Sequence, residues 1–381
     1  MSEWTFRKLS ELITIKHGFA FKGEYFGNDS AGPILVTPGN FAIGGGFKAT
    51  KAKSYSGPIP EGFVLSAGDL VVSMTDLSKA ADTLGYPALI PEGPTYLHNQ
   101  RIGKIDILDT VQLDKSFLYY ALRTEGYRQH VVNGATGTTV KHTSPARICE
   151  YVLSMPSPRE QRAIANVLKA LDDKIAVNER IAAVALELGA DKFRFLQVSA
   201  DEEVTVGELV ELKYGKSLPV ARRTPGKIPV FGSGGISGSH DKHLVRGPGI
   251  VIGRKGTVGV VYWTEVDFFP IDTTFYVVCK NSRASLEYMY FALRSLGLEH
   301  MNSDSAVPGL NRERVQSLSL RIPSTDGMRN FTAEVRELFR LQRAHEEENR
   351  TLAALRDTLL PQLMSGRLRV KDAEKIVEDA T

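Results

Sequence analysis

Apolar positions follow two different rhythms along this chain. Between Ser157 and Gln197, apolar or small residues stand at Ile164, Leu168, Leu171, Ile175, Ala182 and Ala185, with Asn178 interrupting the seam. Steps of three and four place them along one side of a helix, the coiled-coil pattern. Ser157 and Glu160 flank Pro158, so the stretch opens with a capping box and a proline at the first helical position. About forty residues at 1.5 Å each make a rod of roughly 60 Å. A stripe that long needs a second long helix to cover it. Arg329 to Ser365 supplies one, with Phe331, Val335, Leu338, Leu352, Leu359 and Leu363 at compatible spacing and Asn349 where the first helix has Asn178. Gln342, His345 and Arg356 make this second seam more polar.

The remaining segments read as mixed α/β. Leu9 to Ile15 is a short amphipathic opening, and an apolar strand follows the Gly68-Asp69 turn within Val64 to Met74. Asn99 to Ile107 alternates as a strand, Phe117 to Arg128 reads as a helix, and Gly134 to Ser144 is a Gly/Thr-rich loop. Val152 to Met155 leads into Pro156 and the first long helix. Residues 203 to 323 repeat this order. Glu11-Leu12 corresponds to Glu208-Leu209, Leu70-Val71-Val72 to Ile250-Val251-Ile252, and Thr83-Leu84-Gly85 to Thr257-Val258-Gly259. Tyr120 to Arg123 corresponds to Phe291 to Arg294, Pro156 to Pro323, and Asn178 to Asn349. Matches in one order, ending in matching long helices, signal a duplication. The expected layout is a domain at 1–156, a helix at 157–200, a second domain at 201–323, a second helix at 324–371 and a tail at 372–381. Two like units are most simply related by a two-fold axis, which would run the helices antiparallel.

A chain of 381 residues is long enough for two or three cores. Composition is that of a soluble globular protein, without an apolar run near membrane-span length. MSEWTFRKLS carries no hydrophobic signal segment, and Cys149 and Cys279 stand without metal-ligand spacing, so a reducing cytoplasm is the expected compartment. Catalytic signatures fail on inspection. Gly215-Lys216-Ser217 resembles the end of a phosphate-binding loop, but Val210 occupies the position of its first glycine. Gly232 to Ser237 nearly makes a dinucleotide fingerprint, with Ser237 at the last glycine position. Neither an amino-methyltransferase Asn/Asp-Pro-Pro-aromatic run nor an HExxH or paired-cysteine metal site occurs.

Charge is more informative. From Leu212 to Thr264 there are nine Lys/Arg against one acid, Asp241, although the whole chain has a net charge of only +3. Ser30 to Pro60 contains no acid and carries Lys48, Lys51 and Lys53. Both stretches are dense in glycine, which lets backbone approach a phosphate. Cationic side chains give salt-dependent phosphate affinity, and polar loop residues read base edges. The expected DNA contacts in the second domain are Lys216, Arg222, Arg223, Lys227, Arg254, Lys255 and Thr257. In the first they are His17, Lys22, Lys48 and Lys51, with Thr138, Thr139, Lys141 and His142 on the loop before the first rod. Asn178 and Asn349 are expected to fix helix register, as a buried polar residue does in coiled coils.

These features together resemble the specificity subunit of type I restriction-modification systems. The resemblance rests on the domain–helix–domain–helix order, on GIVIGRKGTVGVV (Gly249 to Val261) followed by Pro270 to Thr274, on Ile322-Pro323, and on the ending Leu359 to Gly366. It implies two target recognition domains, pseudo-two-fold related and separated by a long antiparallel two-helix coiled coil. Each domain would read one half of a bipartite, asymmetric site on double-stranded DNA. It also implies two methylation subunits docked on the helices, with restriction and translocation subunits beside them. S-adenosylmethionine, ATP and magnesium would be bound by those partners, and this chain would hold no catalytic residue and no metal. One departure is that Asp76 to Ala81 stands where the second domain has the compact Arg254-Lys255-Gly256. Another is Gly189, which falls inside the first long helix and points to close approach of a neighbouring helix. Two other readings stay open from the residues alone: an enzyme with an unfamiliar active site, and a scaffold that binds DNA without sequence preference.

Overall fold

A computed structural model describes residues 4–27, 32–49, 53–78, 80–301 and 309–380. It divides into two compact units, one of Met1–Ile175 with Thr351–Thr381 and one of Ala176–Arg350. The division therefore falls inside both long helices, Pro158–Val198 and Thr325–Met364. Each unit joins a mixed α/β domain to a pair of helical segments.

In the first unit, Thr5–Lys8 pairs antiparallel with Val152–Met155, which fastens the N-terminal strand to the residues before the long helix. A four-stranded antiparallel sheet has the order Ile13–His17, Ile102–Ile107, Leu70–Ser73, Pro87–Leu89. A second sheet runs Phe26–Gly27, Lys53–Tyr55, Ile34–Val36, Tyr96–His98, Val64–Leu65. The second unit repeats the frame. Glu202–Thr205 pairs with Ser319–Ile322, and the four-stranded order is Val210–Tyr214, Thr274–Cys279, Gly249–Gly253, Val261–Thr264. Its smaller sheet is Gly235–His240, Ile228–Gly232, Phe269–Pro270.

The apolar triplets are buried on both faces, which explains why they read as continuous rather than alternating. Leu70 and Val72 enter the core shared with the helices, whereas Val71 enters the core beneath the second sheet, with Ile102 and Tyr96. Ile250 and Ile252 divide from Val251 in the same way, Val251 packing with Phe231 and Phe268.

Three local expectations are corrected. Phe117 to Arg128 is not one helix but parts of two, Lys115–Ala121 and Glu125–Asn133. Thr124 starts the second, and its hydroxyl donates to Ala121 O (2.7 Å), diverting the carbonyl that would continue the first. The second seam passes through buried Phe339, with Leu338 half-buried beside it. The second long helix stops at Met364, where Gly366 (φ +69°) turns the chain against Trp4, and Val370–Ala380 forms a further helix in place of a tail.

Ser157 Oγ accepts from the Glu160 amide (3.3 Å), capping the first long helix. In the second unit the helical segments run antiparallel: Asn178 meets Asn349 (2.9 Å) and Lys192 meets Glu334 (2.6 Å). Asn178 is fully buried, and its Nδ2 also donates to Glu348 Oε2 (2.8 Å). In the first unit Asp172 binds both Arg123 (2.8 Å) and Arg356 (2.6 Å), and Tyr120 OH donates to it (2.9 Å), so one carboxylate ties the domain to both helical segments.

Candidate nucleic-acid interface

The loops at one end of each four-stranded sheet are held by the same backbone bonds in both units. In the first, Gly18 N–H donates to Ile102 O (3.3 Å), Phe19 to His98 O (2.8 Å), Met74 to Arg101 O (3.0 Å) and Thr143 to Met74 O (3.0 Å). In the second, Gly215 donates to Thr274 O (3.1 Å), Lys216 to Pro270 O (3.0 Å), Arg254 to Thr273 O (2.9 Å) and Leu310 to Arg254 O (2.9 Å). A Cβ on Gly18 would lie 2.2 Å from Asn99 O, and one on Gly215 2.2 Å from Ile271 O. Only glycine lets the two strands cross there. Four chain segments therefore converge at the same sheet end in each unit.

In the second unit this scaffold brings Lys216, Arg254, Lys255 and Thr257 together. Lys216, Lys255 and Thr257 are exposed. The turn that carries the last three closes tightly: a Cβ on Gly253 would stand 2.0 Å from Thr257 O, and Gly256 and Gly259 have φ +82° and +80°. Arg254 is only partly open. Its Nη2 donates to Asp272 O (2.7 Å) and its guanidinium lies 5.2 Å from the Tyr214 ring centroid. Arg312, which the charge pattern did not single out, lies 5.3 Å from the same ring. Arg222 is exposed in a short 3-10 turn, but Arg223 donates to Ser237 O (2.6 Å) and Leu218 O (3.3 Å) and ties its loop to the sheet. Lys227 is not part of this group. It lines a separate cavity of about 570 Å³ with Trp263, Arg343 and Glu346.

In the first unit His17 is exposed at the strand end that Tyr214 occupies in the second. Lys22 is exposed and sits 3.8 Å from Glu24, and Lys48 is exposed on a loop that Asn40 braces through the Lys48 carbonyl (3.1 Å). Lys51 lies outside the described residues. Thr138 and Thr139 are exposed at a hairpin tip turned by Gly137 (φ +90°). Lys141–His142 then pairs with Thr75–Asp76, and His142 Nδ1 is 3.2 Å from Thr75 Oγ1. The Thr138 loop and the loop after Thr75 are therefore one surface. Asp76 builds the latter: it accepts from Ser78 N (2.6 Å), Thr83 Oγ1 (2.7 Å) and Thr83 N. Burial raises its carboxyl pKa, but these bonds outweigh it and hold the group below the usual carboxylate range. Arg128 fixes the far side through the Ala81 and Leu84 carbonyls. This is how the first unit replaces the compact turn of the second. Gln100 and Arg101 are exposed on the converging loop and were missed, because a two-residue polar loop gives no pattern.

The geometry around the catalytic look-alikes is that of turns and extended chain. Residues after Gly215-Lys216-Ser217 form a 3-10 turn rather than a phosphate-capping helix, and Ser233-Gly234 joins two antiparallel strands. Among the described residues no group of His, Cys, Asp or Glu is placed to hold a metal. Burial pushes both cysteine thiols up, Cys279 to about 11, so neither is poised as a thiolate. Among the described residues no helix is long and apolar enough to cross a membrane.

Comparison with known proteins gives a family. The profile described as "Type I restriction modification DNA specificity domain" matches residues 1–186 and 200–327. The chain is 32% identical over 168 residues to the type I restriction enzyme EcoBI specificity subunit of Escherichia coli, covering 44% of this chain and 32% of that subunit. The chain thus spans about a third of that relative's length. It is 24% identical over 285 residues to a putative type I specificity subunit of Mycoplasma genitalium, covering 68% of this chain and 73% of that protein. In fold it is similar to a type I restriction-modification system S subunit from M. genitalium, with TM-score 0.60 at 22% identity, covering 95% and 96% of the two chains. Since the family profile covers both repeated domains, the chain belongs to the type I restriction-modification DNA specificity domain family.

Proposed function

We propose that this chain is the non-catalytic, sequence-reading subunit of a type I restriction-modification assembly, each of its two domains reading one half of an asymmetric, bipartite DNA site. The observation that carries this reading is the duplicated loop end: identical backbone bonds hold Gly18 and Gly215, Met74 and Arg254, yet the side chains presented differ. Two copies of one scaffold with unlike surfaces suit two unlike half-sites. Lys216, Lys255 and Arg222 in one unit, and Lys22 and Lys48 in the other, serve as phosphate contacts, which position the protein, while loop side chains read bases. Residues 1–156 and 201–323 act as the target recognition domains, and the long helices Pro158–Val198 and Thr325–Met364 as helical spacers that set the gap between half-sites. Methyl transfer with S-adenosylmethionine, and ATP- and magnesium-dependent translocation and cleavage, fall to two methylation subunits and to restriction subunits in the cytoplasm. The test is genome-wide mapping of modified adenines in cells with and without this gene, with partner subunits expressed. Loss of methylation at one motif with unlike halves and a fixed gap is expected. Unchanged methylation at every motif would refute the assignment.

A further inference from the structure

One backbone position is held alike in both units and filled differently. His17 ends Ile13–His17 and Tyr214 ends Val210–Tyr214, each just before a glycine whose added Cβ would stand 2.2 Å from a neighbouring carbonyl oxygen. The register matches as well: His17 lies opposite Gly103, and Tyr214 opposite Phe275. The scaffold therefore fixes where the side chain starts, and the surroundings decide what it does.

Around Tyr214 the Phe275 ring lies 5.0 Å away, and the Arg254 and Arg312 guanidinium groups lie 5.2 and 5.3 Å from the ring centroid. Tyr214 is nevertheless 49% exposed. Nε of Arg254 and Nε of Arg312 are buried without a hydrogen-bond partner, and Arg254 Nη2 donates to Asp272 O (2.7 Å), which fixes that guanidinium beside the ring. In the first unit Gly103 stands at the place of Phe275 and Met74 at the place of Arg254. Pro145 stands at the place of Arg312, each being the first residue of the short helix that follows a capping Ser144 or Asn311. His17 thus has none of the three neighbours that hold Tyr214. A half-exposed ring with its rotamer already restricted loses little entropy on contact, and its hydroxyl can donate or accept.

We infer that positions 17 and 214 are equivalent specificity-determining positions, Tyr214 contacting a base as a probe clamped by Arg254 and Arg312, and His17 contacting a base of the other half-site without that clamp. This rests on the DNA-reading assignment above. Arg254 and Arg312 act through Tyr214 as positioning residues.

The test uses the full chain assembled with its methylation subunits, comparing wild type with Tyr214→Phe, Tyr214→Ala, Arg312→Gln, Arg312→Lys and His17→Ala. Modified adenines are mapped for each, and each complex is melted. Tyr214→Ala is expected to reduce discrimination at one base of one half-site about tenfold or more, leaving the other half unchanged. Tyr214→Phe keeps the packed ring and removes only the hydroxyl, so it separates loss of reading from loss of folding. Arg312→Gln should weaken discrimination at that same base, and Arg312→Lys should restore part of it. His17→Ala should relax the opposite half. An unchanged motif for both Tyr214 variants, in complexes that melt like wild type, overturns the inference alone. Methylation lowered equally at all sequences also overturns it. A wild-type chain that directs no bipartite motif overturns the DNA-reading assignment and this inference with it.

Discussion

Replacing Gly189 with alanine tests whether the first long helix is shaped by its neighbours or by its own propensity. In an exposed helix interior this change would stabilise by about 1 kcal/mol. Here the glycine is buried, and a Cβ would stand 2.6 Å from Cζ of Phe291 and 3.4 Å from two further ring atoms. Phe291 cannot easily retreat. It is buried and stacked on Phe339 (centroids 5.9 Å, interplanar 3°) and on Phe193 (6.2 Å), and it meets Phe331 edge-on (6.1 Å). Forcing a methyl into a packed core costs about 1–3 kcal/mol. The clash therefore outweighs the propensity gain, and Gly189→Ala should be less stable by about 1 kcal/mol. Trp263 stacks on Phe339 (4.3 Å), so its fluorescence reports this core, and a Trp4→Phe background removes the other tryptophan. Urea titration should show a lower midpoint at unchanged slope. Adding Phe291→Leu shortens the ring that the methyl meets, so the double variant should lose less than the sum of the singles. A Gly189→Ala protein more stable by about 1 kcal/mol would refute the close-packing argument.

Other outcomes follow from the same contacts. Asn178→Leu alone takes from Asn349 and Glu348 a buried donor and should destabilise by about 1–3 kcal/mol. Replacing Asn178 and Asn349 together with leucine should leave the helices stable but scramble their register, and an unchanged gap between methylated half-sites would count against that role. Asp172 is partly buried, which disfavours its charge, yet Arg123 and Arg356 outweigh that and hold its carboxyl below the usual range. Its stabilising contribution is therefore full above the unfolded carboxylate pKa, about 3.9, and is lost as pH falls through the lower folded value. Asp172→Asn should cost about 3 kcal/mol at neutral pH, leaving Arg123 buried without its ion pair, and the gap to wild type should shrink below about pH 4 in acid unfolding curves. Lys216→Ala should lower the slope of log affinity against log salt by about 0.9. Arg223→Lys should leave that slope unchanged while making the loop at Leu218 more sensitive to limited proteolysis, since its ties to Ser237 and Leu218 need a guanidinium.

What the sequence revealed, and what it hid, divide along a physical line. The duplication was legible because buried strands and crossing glycines tolerate few residue types: Leu70-Val71-Val72 and Ile250-Val251-Ile252 each serve two cores at once. The rods were legible because a seam needs apolar residues at fixed steps, and the misplacement of Phe339 by one residue shows the tolerance of that rule. Surface roles carried no such constraint. Arg223 and Lys216 look alike as cations on one glycine-rich stretch, yet one is spent on two carbonyls and the other stays exposed. Tyr214 reads as an ordinary strand residue, because its two arginines arrive from segments 40 and 98 positions later (254 − 214 and 312 − 214). Its equivalence to His17 could not be read from the two side chains, since the scaffold conserves hydrogen bonds and backbone clearance at that point, not chemistry. A fold that specifies its frame twice while leaving the residues at the loop ends free is one in which the surface those loops present can change without disturbing the core.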